Sequence, residues 1–153
     1  MCIRDSSSDS RAGARRLPTL LTSFRPGFLL ILYGTNDWDD PACRDDSCTV
    51  DNLQSMIRAA KARGTLVFLG TLPPTNVGHD ARASVARNEW VARVNLEVAA
   101  LSRDEGVVLV DIHKAFISSA PGLPSLFVDS LHPSDAGYTL MSKTWFDAMT
   151  IRR

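Results

Sequence analysis

"GFLLILYGTND", residues 27–37, runs from Phe28 to Tyr33 without a charged residue and then breaks into a glycine and a polar turn. A strand with one wet face alternates apolar and polar residues, whereas an unbroken apolar run suits a strand covered on both faces of a parallel sheet. The run is far too short to span a bilayer. Gly34 allows a tight exit from the sheet, and "TND" follows where a strand would hand over to a loop.

Two similar runs lie downstream, "TLVFLG" (65–70) and "VVLV" (107–110). The segments between them carry helical spacing. Val50, Leu53, Ile57 and Ala60 share one face, with Gly64 as a stop after Arg63. Val91, Val94, Val98 and Leu101 recur within a helix expected over about 82–103, and Tyr138, Met141, Trp145 and Met149 mark a last one that begins at Pro133. A short helix over 14–24 precedes the first run. Strand and helix in alternation predict an α/β protein, a three-layer α/β/α sandwich on a parallel sheet. Functional groups in such sheets gather at the carboxyl ends of the strands. Those ends read "GTNDWDD", "TLPPT" and "DIHKAF", and "DSLHP" (129–133) arrives on the loop before the last helix.

Composition excludes several classes. The 17 basic and 17 acidic residues cancel, which argues against nucleic acid and anionic membrane surfaces as partners. A hydrophobic share of 44% and a length of 153 residues suit one globular domain with a real core. Residues 1–9 carry no apolar pattern and are expected to form a non-native or disordered leader to a domain over 10–153. Cys43 and Cys48, in "DDPACRDDSC", lie close enough in sequence for a small disulfide loop. Paired, they suit an exported protein; as free thiols, a cytoplasmic one. Oligomeric state is left open.

Asp129 stands three residues before His132, and Pro133 disfavours helix at His132, which keeps the segment in a turn. Such a turn can aim both side chains into one crevice, with the carboxylate holding the imidazole tautomer and the ring free to take a proton. On the spacing alone, a capped loop beside a surface histidine is the commoner arrangement. Asn36 can offer its side-chain amide to a developing oxyanion, or Asn36 and Asp37 can simply make a turn.

Taken together, "GTND" and "DSLH" resemble the third and fifth blocks, G-x-N-D and D-x-x-H, of the SGNH (GDSL-type) ester hydrolases, in the right order. The resemblance covers about residues 10–150. It implies a flavodoxin-like fold, here without its first one or two strands, and hydrolysis of an acyl ester, a lysolipid or an acetylated sugar. It further implies that His132 is the general base, Asp129 its orienting partner and Asn36 an oxyanion donor, with Gly34 and Asp37 completing the third block. Trp38 and Leu131 are expected to line the substrate pocket. No metal or cofactor is implied, and the partner is a small-molecule ester.

Two parts of the family pattern have no match. The oxyanion glycine of the second block falls near Ser7, where no Asn-Gly turn occurs. The serine block G-D-S is absent altogether; Ser6 in "IRDSSSDS" has too little chain before it to form a buried strand, and Ser130 sits too close to His132. The nucleophile is therefore unknown, and the chain is expected to be an inactive fragment with an exposed apolar edge at 28–33. An alternative is a non-catalytic binding or interaction fragment. Among other candidates, Asp111 and His113 form a rival pair, although Asp111 suits a helix cap. His79 reads as a loop residue, and the acidic stretch with Asp37, Asp39, Asp40, Asp45 and Asp46 as a solvated loop rather than a cation site.

Overall fold

The computed structural model describes residues 2–3, 8–41, 43, 46–120 and 122–150. Four parallel strands form one sheet in the order β1-β2-β3-β4. They are β1 (Cys2–Ile3), β2 (Phe28–Ile31), β3 (Leu66–Gly70) and β4 (Val108–Val110). Helix α1 (Ser10–Phe24) leads into β2, α2 (Asp46–Lys61) joins β2 to β3, and α3 (Val85–Asp104) joins β3 to β4. After β4 come α4 (Ile112–Ile117), α5 (Leu123–Leu126) and α6 (Asp135–Thr150).

The unbroken apolar runs are explained by the two cores that they separate. Leu29, Ile31 and Tyr33 point to one face with Val67 and Leu69, and meet Leu17 and Leu21 of α1, Leu53 and Ile57 of α2, and Trp90, Val94 and Val98 of α3. Leu30 and Leu32 point to the other face with Phe68 and Val110, and meet Phe116 of α4, Leu126 of α5 and Met141 and Trp145 of α6. Each strand therefore needs apolar side chains at odd and even positions alike. The three-layer α/β/α expectation holds.

The segment before residue 10, expected outside the domain, contributes to it at both ends. Cys2 and Ile3 pair in parallel with Leu30 and Ile31. That pairing covers part of the β2 edge, which was expected to be bare. Asp9 caps α1, its carboxylate accepting the Ala12 N–H at 2.6 Å, so this helix starts four residues earlier than the apolar pattern indicates. Ser6 and Ser7 lie outside the described residues.

The last two long helices begin later than expected, each at a serine cap. The Ser84 hydroxyl accepts the Arg87 N–H and opens α3. Ser134, rather than Pro133, precedes α6, and its hydroxyl accepts the Gly137 N–H. Pro133 is held instead in an antiparallel bridge with Phe127. A Cβ at Gly137 would fall 2.2 Å from the Leu126 carbonyl oxygen, so only glycine lets α6 start this close to α5.

Candidate active site

At the carboxyl end of β2 the chain turns at Gly34, whose φ of +128° favours glycine. A Cβ there would also lie 2.9 Å from both Leu72 and Thr49 side-chain carbons. The next residues form a single 3-10 turn, Asp37–Asp39. Asp37 is fully buried and organises it: one carboxylate oxygen accepts the Ser10 N–H at 2.8 Å, the other the Thr49 hydroxyl at 2.7 Å. The motif's aspartate thus ties the start of α1 and the first turns of α2 to the tip of β2. Asn36 donates through Nδ2 to the Ser8 carbonyl at 3.1 Å. One of its two amide hydrogens is used there, and the other has no partner among the described residues.

The second arm is a self-contained turn between Phe127 and Pro133. Asp129 Oδ1 accepts the backbone N–H groups of Leu131 (2.7 Å) and His132 (2.8 Å), and Asp129 Oδ2 meets His132 Nδ1 at 2.8 Å. The sequence spacing is what makes this possible, because a carboxylate two and three residues upstream reaches both amides and the ring. With Nδ1 turned to the carboxylate, Nε2 is the basic nitrogen left facing outward. The ring is 48% exposed. The hydrogen bond from His132, aided by the two backbone N–H donors, holds the Asp129 carboxyl well below the usual carboxylate range.

The two arms meet across a crevice of about 100 Å³ that opens to solvent. Ser8, Tyr33, Asn36, Leu131, His132 and Met141 are among its lining residues. One wall is the loop after β3, residues 71–76, which is buried without being helix or strand. Its backbone is satisfied by two asparagines seven apart on one face of α3. Asn95 exchanges hydrogen bonds with Leu72 N–H and C=O, and Asn88 does the same at Thr75. The Asn76 N–H then donates to the Ser130 carbonyl, joining this wall to the Asp129 turn.

Of the other candidates, one lies away from the crevice. Leu131 lines the crevice, but Trp38 packs beside Trp90, ring centroids 5.8 Å apart, against the core. An indole next to a buried tryptophan gains more from the core than from an open crevice. Ser130 is fully buried. Asp111 caps α4 by accepting the Lys114 N–H, and its carboxylate also accepts from Thr71 rather than from His113. Burial lowers the pKa of His113. His79 is exposed and pairs with Asp80. In the acidic stretch Asp39 pairs with Arg87 and Asp40 with Arg11, while Asp45 lies outside the described residues. Among the described residues no group of three or more acidic, histidine or cysteine side chains could hold a metal. Cys43 and Cys48 form a disulfide with Cα atoms 5.0 Å apart.

Two arginines escaped the sequence reading. Arg87, 1% exposed, donates to the Thr35 carbonyl at 2.6 Å, to Asp39 and to the Arg82 carbonyl. Arg82 Nη2 reaches Asp80 at 2.8 Å and Asp129 at 3.2 Å. A charged residue at a position where α3 turns inward was the available signal for Arg87; Arg82 had none.

Comparison with known proteins bears on the fold and the family. The chain superimposes on a GDSL-like lipase from Bacteroides thetaiotaomicron with a TM-score of 0.83 at 20% identity, covering 97% of this chain and 74% of that one. The lipase/acylhydrolase from Enterococcus faecalis gives 0.79 at 23%, covering 95% and 72%. A catalytic mutant of an acetylxylan esterase from Geobacillus stearothermophilus gives 0.76 at 18%, covering 94% and 68%. At such identities these likenesses speak for the fold. No curated protein sequence matches the chain. Residues 4–140 match the sequence profile of the GDSL-like Lipase/Acylhydrolase family, and the chain belongs to that family.

Proposed function

We propose that the crevice is an ester-hydrolysing site of the SGNH type in which His132 is the general base and Asp129 fixes its tautomer. The observation that carries this reading is the 2.8 Å contact of His132 Nδ1 with Asp129 Oδ2, in a crevice shared with Asn36. His132 Nε2 would take a hydroxyl proton as the oxygen attacks the ester carbonyl. Asp129 would stabilise the imidazolium, and the second Asn36 N–H would meet the oxyanion. The leaving alcohol would then recover the proton from His132, and a water deprotonated by the same ring would attack the acyl group, releasing it as the acid and returning the proton to the nucleophile's oxygen. Acyl esters of small alcohols, lysolipids and acetylated sugars are the substrate classes; the acetylxylan esterase among the structural neighbours adds weight to the last.

No serine hydroxyl among the described residues is hydrogen-bonded to the His132 ring, and Ser8 is the described serine lining the crevice. We therefore infer that this chain alone hydrolyses esters poorly, at no more than the roughly thousand- to ten-thousandfold over water left when a triad member is missing. The same observation favours a second reading, an ester- or glycan-binding relative without turnover. Hydrolysis of a p-nitrophenyl acyl ester by the purified chain, with and without His132→Ala, separates the outcomes. Weak turnover reduced further by the substitution supports an incomplete hydrolase. Fast turnover with a serine labelled by a phosphonate probe overturns the inactivity. Turnover indifferent to His132→Ala removes the general-base role.

A further inference from the structure

We propose that Arg82 is a positioning residue that tempers the basicity of His132 by sharing the carboxylate oxygen on which the ring rests. The inference builds on Asp129 and His132 being the acid–base pair, and its test reads the ring directly rather than through turnover.

Asp129 Oδ2 carries two donors, His132 Nδ1 at 2.8 Å and Arg82 Nη2 at 3.2 Å. A carboxylate whose charge is already answered by a guanidinium has less to offer an imidazolium, and the two cations repel each other across it. Arg82 is not a loose surface side chain in this arrangement. Its Nε and Nη2 grip both oxygens of Asp80, whose Oδ1 also accepts the Arg82 backbone N–H. Its carbonyl is held by the buried Arg87 of α3. The guanidinium is thereby aimed at Asp129 from a loop that is independently tied to the same turn through Asn76 and Ser130.

The remaining charges around the pair leave the direction unchanged. His79 lies on Asp80 at 3.6 Å, and Arg87 is answered by Asp39. Asp135, the first residue of α6, belongs to the next turn of chain after His132. Removing the Arg82 charge would also free Asp80 from the guanidinium that grips both its oxygens, which pushes the same way. The ring should take its second proton more readily without Arg82.

NMR titration of the His132 imidazole, assigned against His132→Ala, in wild type, Arg82→Gln and Arg82→Lys tests this. The glutamine variant should move the midpoint upward by about half a pH unit or more, roughly a threefold gain in proton affinity. The lysine variant should return most of the way to wild type. Thermal melting should hardly change, because Arg82 is 51% exposed and exposed ion pairs add little stability. A midpoint that stays put or falls in Arg82→Gln overturns the proposal, as does a lysine variant that titrates like the glutamine one. Should Arg82→Gln fail to fold, Arg82→Met provides the same neutral comparison. Loss of ester turnover on its own would bear on the proposed reaction and leave this result standing.

Discussion

Arg87 Nη2 lies 2.6 Å from the Thr35 carbonyl oxygen, so a cation with 1% exposure braces the turn that carries Asn36. The same side chain reaches Asp39 and the Arg82 carbonyl, and its Nε is buried without a partner among the described residues. Burial lowers its pKa, although an arginine remains charged in any protein. The brace thus costs desolvation and is held in place by three acceptors.

Arg87→Ala should therefore be among the most damaging single changes. It leaves the Thr35 carbonyl without its donor, releases Asp39 and empties the space of a buried side chain. Breaking one partner of a buried charged contact typically costs about 3–5 kcal/mol. Asp39 is largely exposed, so roughly 2–4 kcal/mol is expected, read as a lower urea midpoint at unchanged slope.

Asp37→Asn tests the other anchor of the same turn. Asp37 acts purely as an acceptor, for the Ser10 N–H and the Thr49 hydroxyl. Asparagine keeps the shape but turns one oxygen into an NH₂ group that faces a donor. A loss of about 1–3 kcal/mol is expected by denaturant unfolding, with Thr49→Ala in the asparagine background costing less than it does in wild type.

The Cys43–Cys48 disulfide closes a loop just upstream of Thr49. Chain-entropy arithmetic for so short a loop gives about 2 kcal/mol. A Cys43→Ser, Cys48→Ser double variant should lose about that much stability, and a reducing agent should lower the melting temperature of wild type but not of the variant.

The sheet was legible in the sequence because burial on both faces removes polar residues from a strand, and Phe28–Tyr33, Leu66–Gly70 and Val107–Val110 all carry that signature. Strand β1 was not, since two residues have no period, and its pairing depends on β2 lying open beside it. Asp129 and His132 were legible because their contact is made within four residues of chain. Arg82 and Arg87 were hidden for the opposite reason. Their partners are Asp129, 47 positions away in sequence, and the Thr35 carbonyl, 52 away, and a backbone carbonyl has no signature in a sequence. Trp38 was not legible, because proximity to the motif in sequence does not fix proximity to the crevice, and Trp90 draws it into the core.

The pH response of the Asp129 turn follows from its hydrogen bonds. The Asp129 carboxyl is held below its ordinary value by His132 and two backbone N–H groups, and that of Asp80 chiefly by Arg82. A depressed folded-state value means stability that is present above the unfolded carboxyl value near 4 and is lost as pH falls toward the folded one. Both groups are open to solvent, so the effect is modest. Asp129→Asn should be less stable than wild type at pH 7, and the gap should narrow steadily below about pH 4, where the carboxyl of the unfolded wild-type chain takes up a proton that the folded one does not yet accept. Denaturant melts of the two proteins from pH 7 to pH 2 measure the gap. A constant difference across that range would mean that the carboxylate charge contributes nothing, and that the turn rests on its backbone hydrogen bonds alone.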